Sequence, residues 1–217
     1  MYGAVFNEYM KQLLVDGHSV EFFLEGTRSR SNKMVTPRFG LLKAALEPYF
    51  EGRVPDMQLV PISLDYEKTL EGTIYAEELL GIPKPKESLA NLLSLGAAKT
   101  LAQGHGKVSA RFGAPVSLRA TIATMAAERA SASTSAPAFD PAASAGDRSA
   151  LIRRVAFVVL GEQLANCSCM PTHLVAALLL HRRRRSTSVA ALVDQVSVLL
   201  CTVTFYANLA HSLTRSP

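Results

Sequence analysis

The chain has 217 residues, 48% of them hydrophobic and 19% charged, which supports a packed core and excludes a chain that stays disordered by composition. Its 23 Lys and Arg against 18 Asp and Glu leave a formal net charge of +5. Residues 1–120 carry 14 basic and 13 acidic side chains, residues 121–217 carry 9 and 5. The excess sits in the block Arg182–Arg185 instead of over a face, which argues against nucleic acid as a partner. Three cysteines cannot build a disulfide framework and suit a reducing compartment.

In chain order, residues 4–14 read as a helix, with Val5, Phe6, Tyr9, Met10, Leu13 and Leu14 on one stripe and Asp16-Gly17 as its stop. Val20–Leu24 is a short apolar run with aromatics and reads as a buried strand. Glu25–Lys33 is a polar, basic loop at that strand's carboxyl end. Phe39–Tyr49 follows Pro37 as a second helix. Gln58–Asp65 reads as a strand, Glu87–Gln103 as a helix and Lys107–Phe112 as a strand. Helices alternating with strands give an α/β domain. Thr121–Asp147 breaks the pattern: ten of its 27 residues are Ala, four Ser and three Thr. That composition reads as a linker or low-complexity insert. Leu151–Leu164, Pro171–Leu180 and Ser188–Leu200 then read as helices, with Pro171 in the first turn of the middle one. The expected organisation is 1–119, an α/β domain; 120–147, a linker; and 148–217, a helical region. Val196–Ala210 is broken by Thr202, Thr204 and Asn208, so no apolar run reaches the length of a membrane span.

The stretch richest in chemistry is Phe22-Phe23-Leu24-Glu25-Gly26-Thr27-Arg28-Ser29-Arg30-Ser31. The carboxyl edge of an α/β sheet is where ligands bind. Two arginines spaced by one residue offer planar, bidentate recognition of phosphate or carboxylate. Gly26 permits a tight turn, Thr27 and Ser29 add hydroxyl donors, and Lys33 adds charge. The reading is a site for a small phosphorylated ligand; a solvated basic turn paired with surface carboxylates is the competing one.

This stretch resembles the third conserved block of the glycerol-phosphate and dihydroxyacetone-phosphate acyltransferase family, with the Glu-Gly-Thr-Arg core present as Glu25, Gly26, Thr27 and Arg28. Leu59-Val60-Pro61-Ile62-Ser63-Leu64-Asp65-Tyr66 is similar to the fourth block. Tyr75–Ser88, and Val108–Arg119 with Arg111-Phe112-Gly113 and Pro115-Val116-Ser117-Leu118, resemble the same family in order and in register over residues 1–119. Met170–Ala176 is similar to its helical region, and Thr27–Ser31 is closer to the dihydroxyacetone-phosphate (glycerone-phosphate) branch. The resemblance implies the C-terminal part of a mixed α/β acyltransferase domain followed by a small helical region. It also implies transfer of a fatty acyl group from acyl-CoA, a co-substrate with no further cofactor, to glycerone phosphate or glycerol 3-phosphate in glycerolipid and ether-lipid synthesis. Arg28 and Arg30 would hold the substrate phosphate, Gly26 and Thr27 shape the loop, Glu25 orient it by pairing an arginine, and Pro61 shape the site or the acyl-CoA path.

Acyl transfer to a hydroxyl needs a base to take its proton. The family uses His-x-x-x-x-Asp, in which the carboxylate orients the imidazole. Five positions after His18, His105, His173, His181 and His211 stand Phe23, Ala110, Leu178, Ser186 and Ser216. The expectation is a chain that starts within the domain, downstream of its base, without a catalytic residue of its own and inactive alone. The alternative is a non-catalytic remnant that binds phosphate or a partner.

Cys167-Ser168-Cys169 lacks the spacing and companions of a zinc site, so no metal is expected. Arg182–Arg185 after the apolar Leu174–Leu180 reads either as a contact with an anionic membrane surface or as cations complementing a helix C-terminus. The implied location is an intracellular membrane: peroxisomal, endoplasmic reticulum or outer mitochondrial. The final Arg215-Ser216-Pro217 is not a peroxisomal tripeptide of the Ser-Lys-Leu kind.

Overall fold

The computed structural model describes residues 2–27, 33–68, 80–81, 106–132, 137–182 and 186–214. The elements are α1 (Tyr2–Val15), α2 (Phe39–Phe50), β1 (Gln58–Leu59), β2 (Ile62–Tyr66), β3 (Val108–Phe112), β4 (Val116–Ser117), α3 (Leu118–Ala132), α4 (Ala145–Ala165), α5 (Pro171–His181) and α6 (Val189–Thr214). They form a mixed α/β structure in which helix predominates. The chain divides into two compact units, residues 1–64 with 110–167 and residues 65–109 with 168–217.

The first unit holds a core of Leu24, Leu42, Leu46, Leu118, Phe139, Leu151, Ile152, Val155, Ala156 and Val159. α2 contributes Leu42 and Leu46, four apart and so on one face, and α4 contributes residues 151, 152, 155, 156 and 159 on the same period. α1 packs on α2, and only Met10 of its expected stripe is buried; Val5 and Tyr9 are exposed. β1 pairs antiparallel with β4, Gln58 opposite Ser117 and Leu59 opposite Val116.

Pro61 divides the expected strand Gln58–Asp65 into β1 and β2. It has no N–H to give a ladder, its side chain is fully buried, and its carbonyl accepts the Gly113 amide at 2.8 Å. β2 pairs with β3. Pro61 O to Gly113 N–H at one end and Glu67 N–H to Lys107 O at 2.9 Å at the other fix an antiparallel register.

Two expectations change. Val20–Leu24 is irregular, not a strand. Its described main-chain bonds go to turns and to residues beyond the basic loop, namely Gly26 N–H to Phe23 O at 3.1 Å and Arg38 N–H to Leu24 O at 2.9 Å. A strand needs a partner's ladder, which those bonds do not supply.

The expected linker 120–147 is not linker-like where it is described. Residues 118–132 are helix, with Ile122, Met125 and Ala126 against the core. Arg129 forks onto Asp147 with Nη1–Oδ2 at 3.1 Å and Nη2–Oδ1 at 2.5 Å and lies 4.8 Å over the Phe139 ring. Ser144 caps α4 by accepting the Asp147 amide. Alanine is the strongest helix former, so the composition that reads as low complexity also favours helix.

The expected helix Glu87–Gln103 lies outside the described residues. In the second unit α5 packs against α6. Ser168 N–H donates to Asp65 at 2.7 Å, and the Ser109 and Ser168 hydroxyls are 2.9 Å apart. Among the described residues no helix is long and apolar enough to cross a membrane.

Candidate functional site

Glu25, Gly26 and Thr27 form the entry to the basic loop. The anchor is Leu24, 7% exposed and part of the core cluster. From it the chain turns outward: Glu25 is half-buried, and Gly26 and Thr27 are exposed. Gly26 has φ of +65°, and a Cβ there would stand 2.9 Å from Arg38 Cδ. An L side chain is disfavoured by that backbone region. The flexible Arg38 chain could yield, so the backbone conformation is what requires glycine.

Two bonds close the base of the loop. The Leu24 carbonyl accepts from the Arg38 amide at 2.9 Å, and Glu25 Oε2 accepts from the Val35 amide at 2.7 Å. The described partner of Glu25 is a main-chain N–H on the far side of the loop; the arginines it is expected to pair lie outside the described residues. A carboxylate–amide bond is charge-assisted and stronger than a neutral one. It ties the residue before the Thr-Arg-Ser-Arg-Ser sequence to the residues after it. Pro37, buried, and Arg38 then lead into α2. Arg28 and Arg30, the expected phosphate ligands, lie outside the described residues; what the structure places is the frame on both sides of them.

Pro61 is held by a different set of contacts. It is buried, and a Cβ on Gly113 would meet its ring at 3.3 Å, so these two segments approach closely. Its position is that of a packed strand break. The loop frame and the strand pair join through the core: Leu24 belongs to the cluster, and Leu59 and Val116 pack against it.

A functional-looking node absent from the sequence reading is Asp56. Its Oδ1 accepts from the Met57 and Arg119 amides at 2.8 and 3.0 Å. Its Oδ2 accepts from the Ser117 hydroxyl and the Gln58 amide group at 2.8 and 3.0 Å. Burial works against the charged form, but the Arg119, Ser117 and Met57 hydrogen bonds and the Arg119 charge outweigh it, so the carboxyl titrates below its ordinary value. Asp56 is a clamp joining β1 to β4 and α3. Only its partners at 57 and 58 are near in sequence, so no local pattern could have shown the rest. Among the described residues no group of three His, Cys, Asp or Glu side chains could hold a metal ion.

Set against known proteins, residues 75–217 match the family model of the glycerol-3-phosphate acyltransferase C-terminal region, and residues 1–65 match an acyltransferase model. The chain is 46% identical over 198 residues to dihydroxyacetone phosphate acyltransferase of Homo sapiens, covering 90% of the chain and 28% of that protein. The Mus musculus protein of the same name is 42% identical over the same shares. A glycerol-3-phosphate acyltransferase of Xanthomonas campestris is 38% identical over 128 residues, 59% of the chain and 14% of that protein. The chain thus spans little more than a quarter of the length of the first relatives and less of the bacterial one.

Proposed function

Because this chain belongs to the glycerol-3-phosphate acyltransferase family, we propose that it is the acceptor-recognition part of an acyl-CoA-dependent O-acyltransferase acting on glycerone phosphate or glycerol 3-phosphate. The observation that carries the reading is the closed base of the loop. Leu24 is fixed in the core, Glu25 straps the Val35 amide, and Gly26 turns with positive φ. The residues framed in this way are Arg28 and Arg30. In this reading they take the substrate phosphate by paired guanidinium contacts, with Gly26 and Thr27 shaping the approach and Glu25 ordering the loop. Pro61 acts at a distance, as a rigid break that sets where β2 begins.

The reaction joins the acceptor hydroxyl to the thioester carbonyl, forms an ester and releases the CoA thiol. Neither metal nor prosthetic group is required by that chemistry. The proton must go to a base, and no histidine in these residues has the aspartate five positions on. The proposal therefore assigns substrate positioning to this chain, a contribution that can be a large share of a rate enhancement, and predicts no acyl transfer by the chain alone. The product is a lipid, so the site is placed at an intracellular membrane surface, one of the peroxisomal, endoplasmic reticulum or outer mitochondrial membranes.

The test is equilibrium binding of glycerone phosphate. Arg28→Ala weakens it by about 1.5–3 kcal/mol, the range for a hydrogen bond to a charged group. An unchanged dissociation constant contradicts the assignment.

A further inference from the structure

The acyl transfer proposed above has two anionic substrates. One is the three-carbon phosphate, assigned to the basic loop. The other is acyl-CoA, whose negative charge lies in the terminal 3′-phosphate and the pyrophosphate of its nucleotide end. The compact unit that carries the loop also holds a cavity of about 350 Å³ between α1 and α2, within the size range of small-molecule sites.

Three residue pairs build this cavity, each pair four apart and so on one helix face. Asn7 and Lys11 form the α1 wall, and Lys43 and Glu47 the α2 wall. Gly40 and Ala44, with little or no side chain, leave the space between them, and a Cβ on Gly40 would meet nothing within 4 Å. The ion pairs around the cavity decide what it can hold. Glu47 is taken by Arg148, with Oε1 and Nη1 3.4 Å apart, and Lys11 by Glu51. Among the described residues the Lys43 ammonium has no carboxylate partner and the Asn7 amide no hydrogen-bond partner. The cavity therefore offers one unneutralised cation and one free amide, while the other charges on its walls are already balanced. Lysine binds phosphate as a point charge, and an amide donates to the same oxygens. A cationic ligand would face both lysines, and an uncharged one would leave Lys43 unused.

We propose that the α1–α2 cavity binds the 3′-phosphate end of acyl-CoA, with Lys43 and Asn7 as its ligands. The 3′-phosphate is a terminal monoester and can enter a cavity of this size, whereas the pyrophosphate is flanked on both sides by the rest of the molecule. The proposal rests on the acyl-CoA part of the reading above and not on the loop arginines.

The test is calorimetric titration of the 217-residue chain with CoA and with dephospho-CoA, which lacks only the 3′-phosphate. CoA binds, and dephospho-CoA binds about tenfold more weakly, the loss of one charge-assisted contact. Lys43→Gln weakens CoA about fivefold, the upper end for an exposed ion pair, and leaves dephospho-CoA unchanged. Lys43→Arg keeps the charge and the affinity. Glycerone phosphate binds Lys43→Gln as it binds the unaltered chain. Arg153→Gln, at an exposed arginine of α4 that does not line the cavity, leaves CoA binding as it was. Absence of CoA binding, equal binding of the two nucleotides, an equal loss of both in Lys43→Gln, or the same loss in Arg153→Gln overturns the proposal. Failure of glycerone phosphate to bind, with CoA and dephospho-CoA differing as stated, counts against the loop and supports the cavity. The comparison of the two nucleotides uses the unaltered chain and stands whether or not a variant folds.

Discussion

Replacing Glu25 by Ala removes the carboxylate that accepts the Val35 amide and leaves that half-buried N–H with no described acceptor. A hydrogen bond to a charged group is worth about 1.5–3 kcal/mol. Water can reach part of this site, so the lower end applies, about 1.5 kcal/mol, or slightly more than a factor of ten in a local equilibrium. The loss falls on loop closure: Leu24 remains in the core and its carbonyl still holds the Arg38 amide. Native-state hydrogen exchange reads this directly. The Val35 amide exchanges about tenfold faster in Glu25→Ala, amides of α4 do not change, and glycerone phosphate affinity drops because the loop must be ordered on binding. Glu25→Gln, which keeps an acceptor oxygen, falls between. Unchanged Val35 exchange in Glu25→Ala would refute the strap, and so would an equal acceleration throughout α4.

Three further outcomes follow from the geometry. Gly26→Ala costs about 1–2 kcal/mol of stability in urea unfolding, the penalty of a left-handed backbone for an L residue, whereas Gly40→Ala, with open space at its Cβ and inside α2, is neutral or stabilising. Leu46→Ala, at a side chain with no exposure, lowers stability by about 2–5 kcal/mol. Asp56 has a lowered folded-state pKa, so its contribution is present above the unfolded value of about 3.9 and is lost as pH falls through the lower folded value. Stability measured from pH 7 to pH 3 therefore declines on the acid side of about 4, and Asp56→Asn flattens that decline while costing about 2 kcal/mol at pH 7.

Periodicity was informative where large apolar residues recur. α1, α2, α5 and β3 lie within two residues of the ranges that the pattern indicates, and Pro171 opens α5 as a first-turn proline should. It was uninformative where burial rests on small side chains. α3 reaches the core through Ile122, Met125 and Ala126, too few large residues in an alanine-rich stretch to mark a face, and the Arg129–Asp147–Phe139 node that organises the following turn joins residues 8 to 18 apart. Val20–Leu24 has strand composition, but composition cannot supply the neighbouring ladder that makes a strand. At the loop, the motif located Glu25, Gly26 and Thr27 and the need for a turn, which φ of +65° at Gly26 bears out. The acceptor role of Glu25 toward Val35 was out of reach, because it depends on how the chain returns ten residues later.

The central claim is that the framed loop recognises a three-carbon phosphate through its arginines. Calorimetric titration of the chain and of Arg28→Ala/Arg30→Ala with glycerone phosphate, glycerol 3-phosphate and unphosphorylated dihydroxyacetone tests it most directly. The account predicts that the unaltered chain binds one or both phosphates and not dihydroxyacetone, and that the double variant binds none. Equal binding of dihydroxyacetone, or phosphate binding that survives in the double variant, would contradict it.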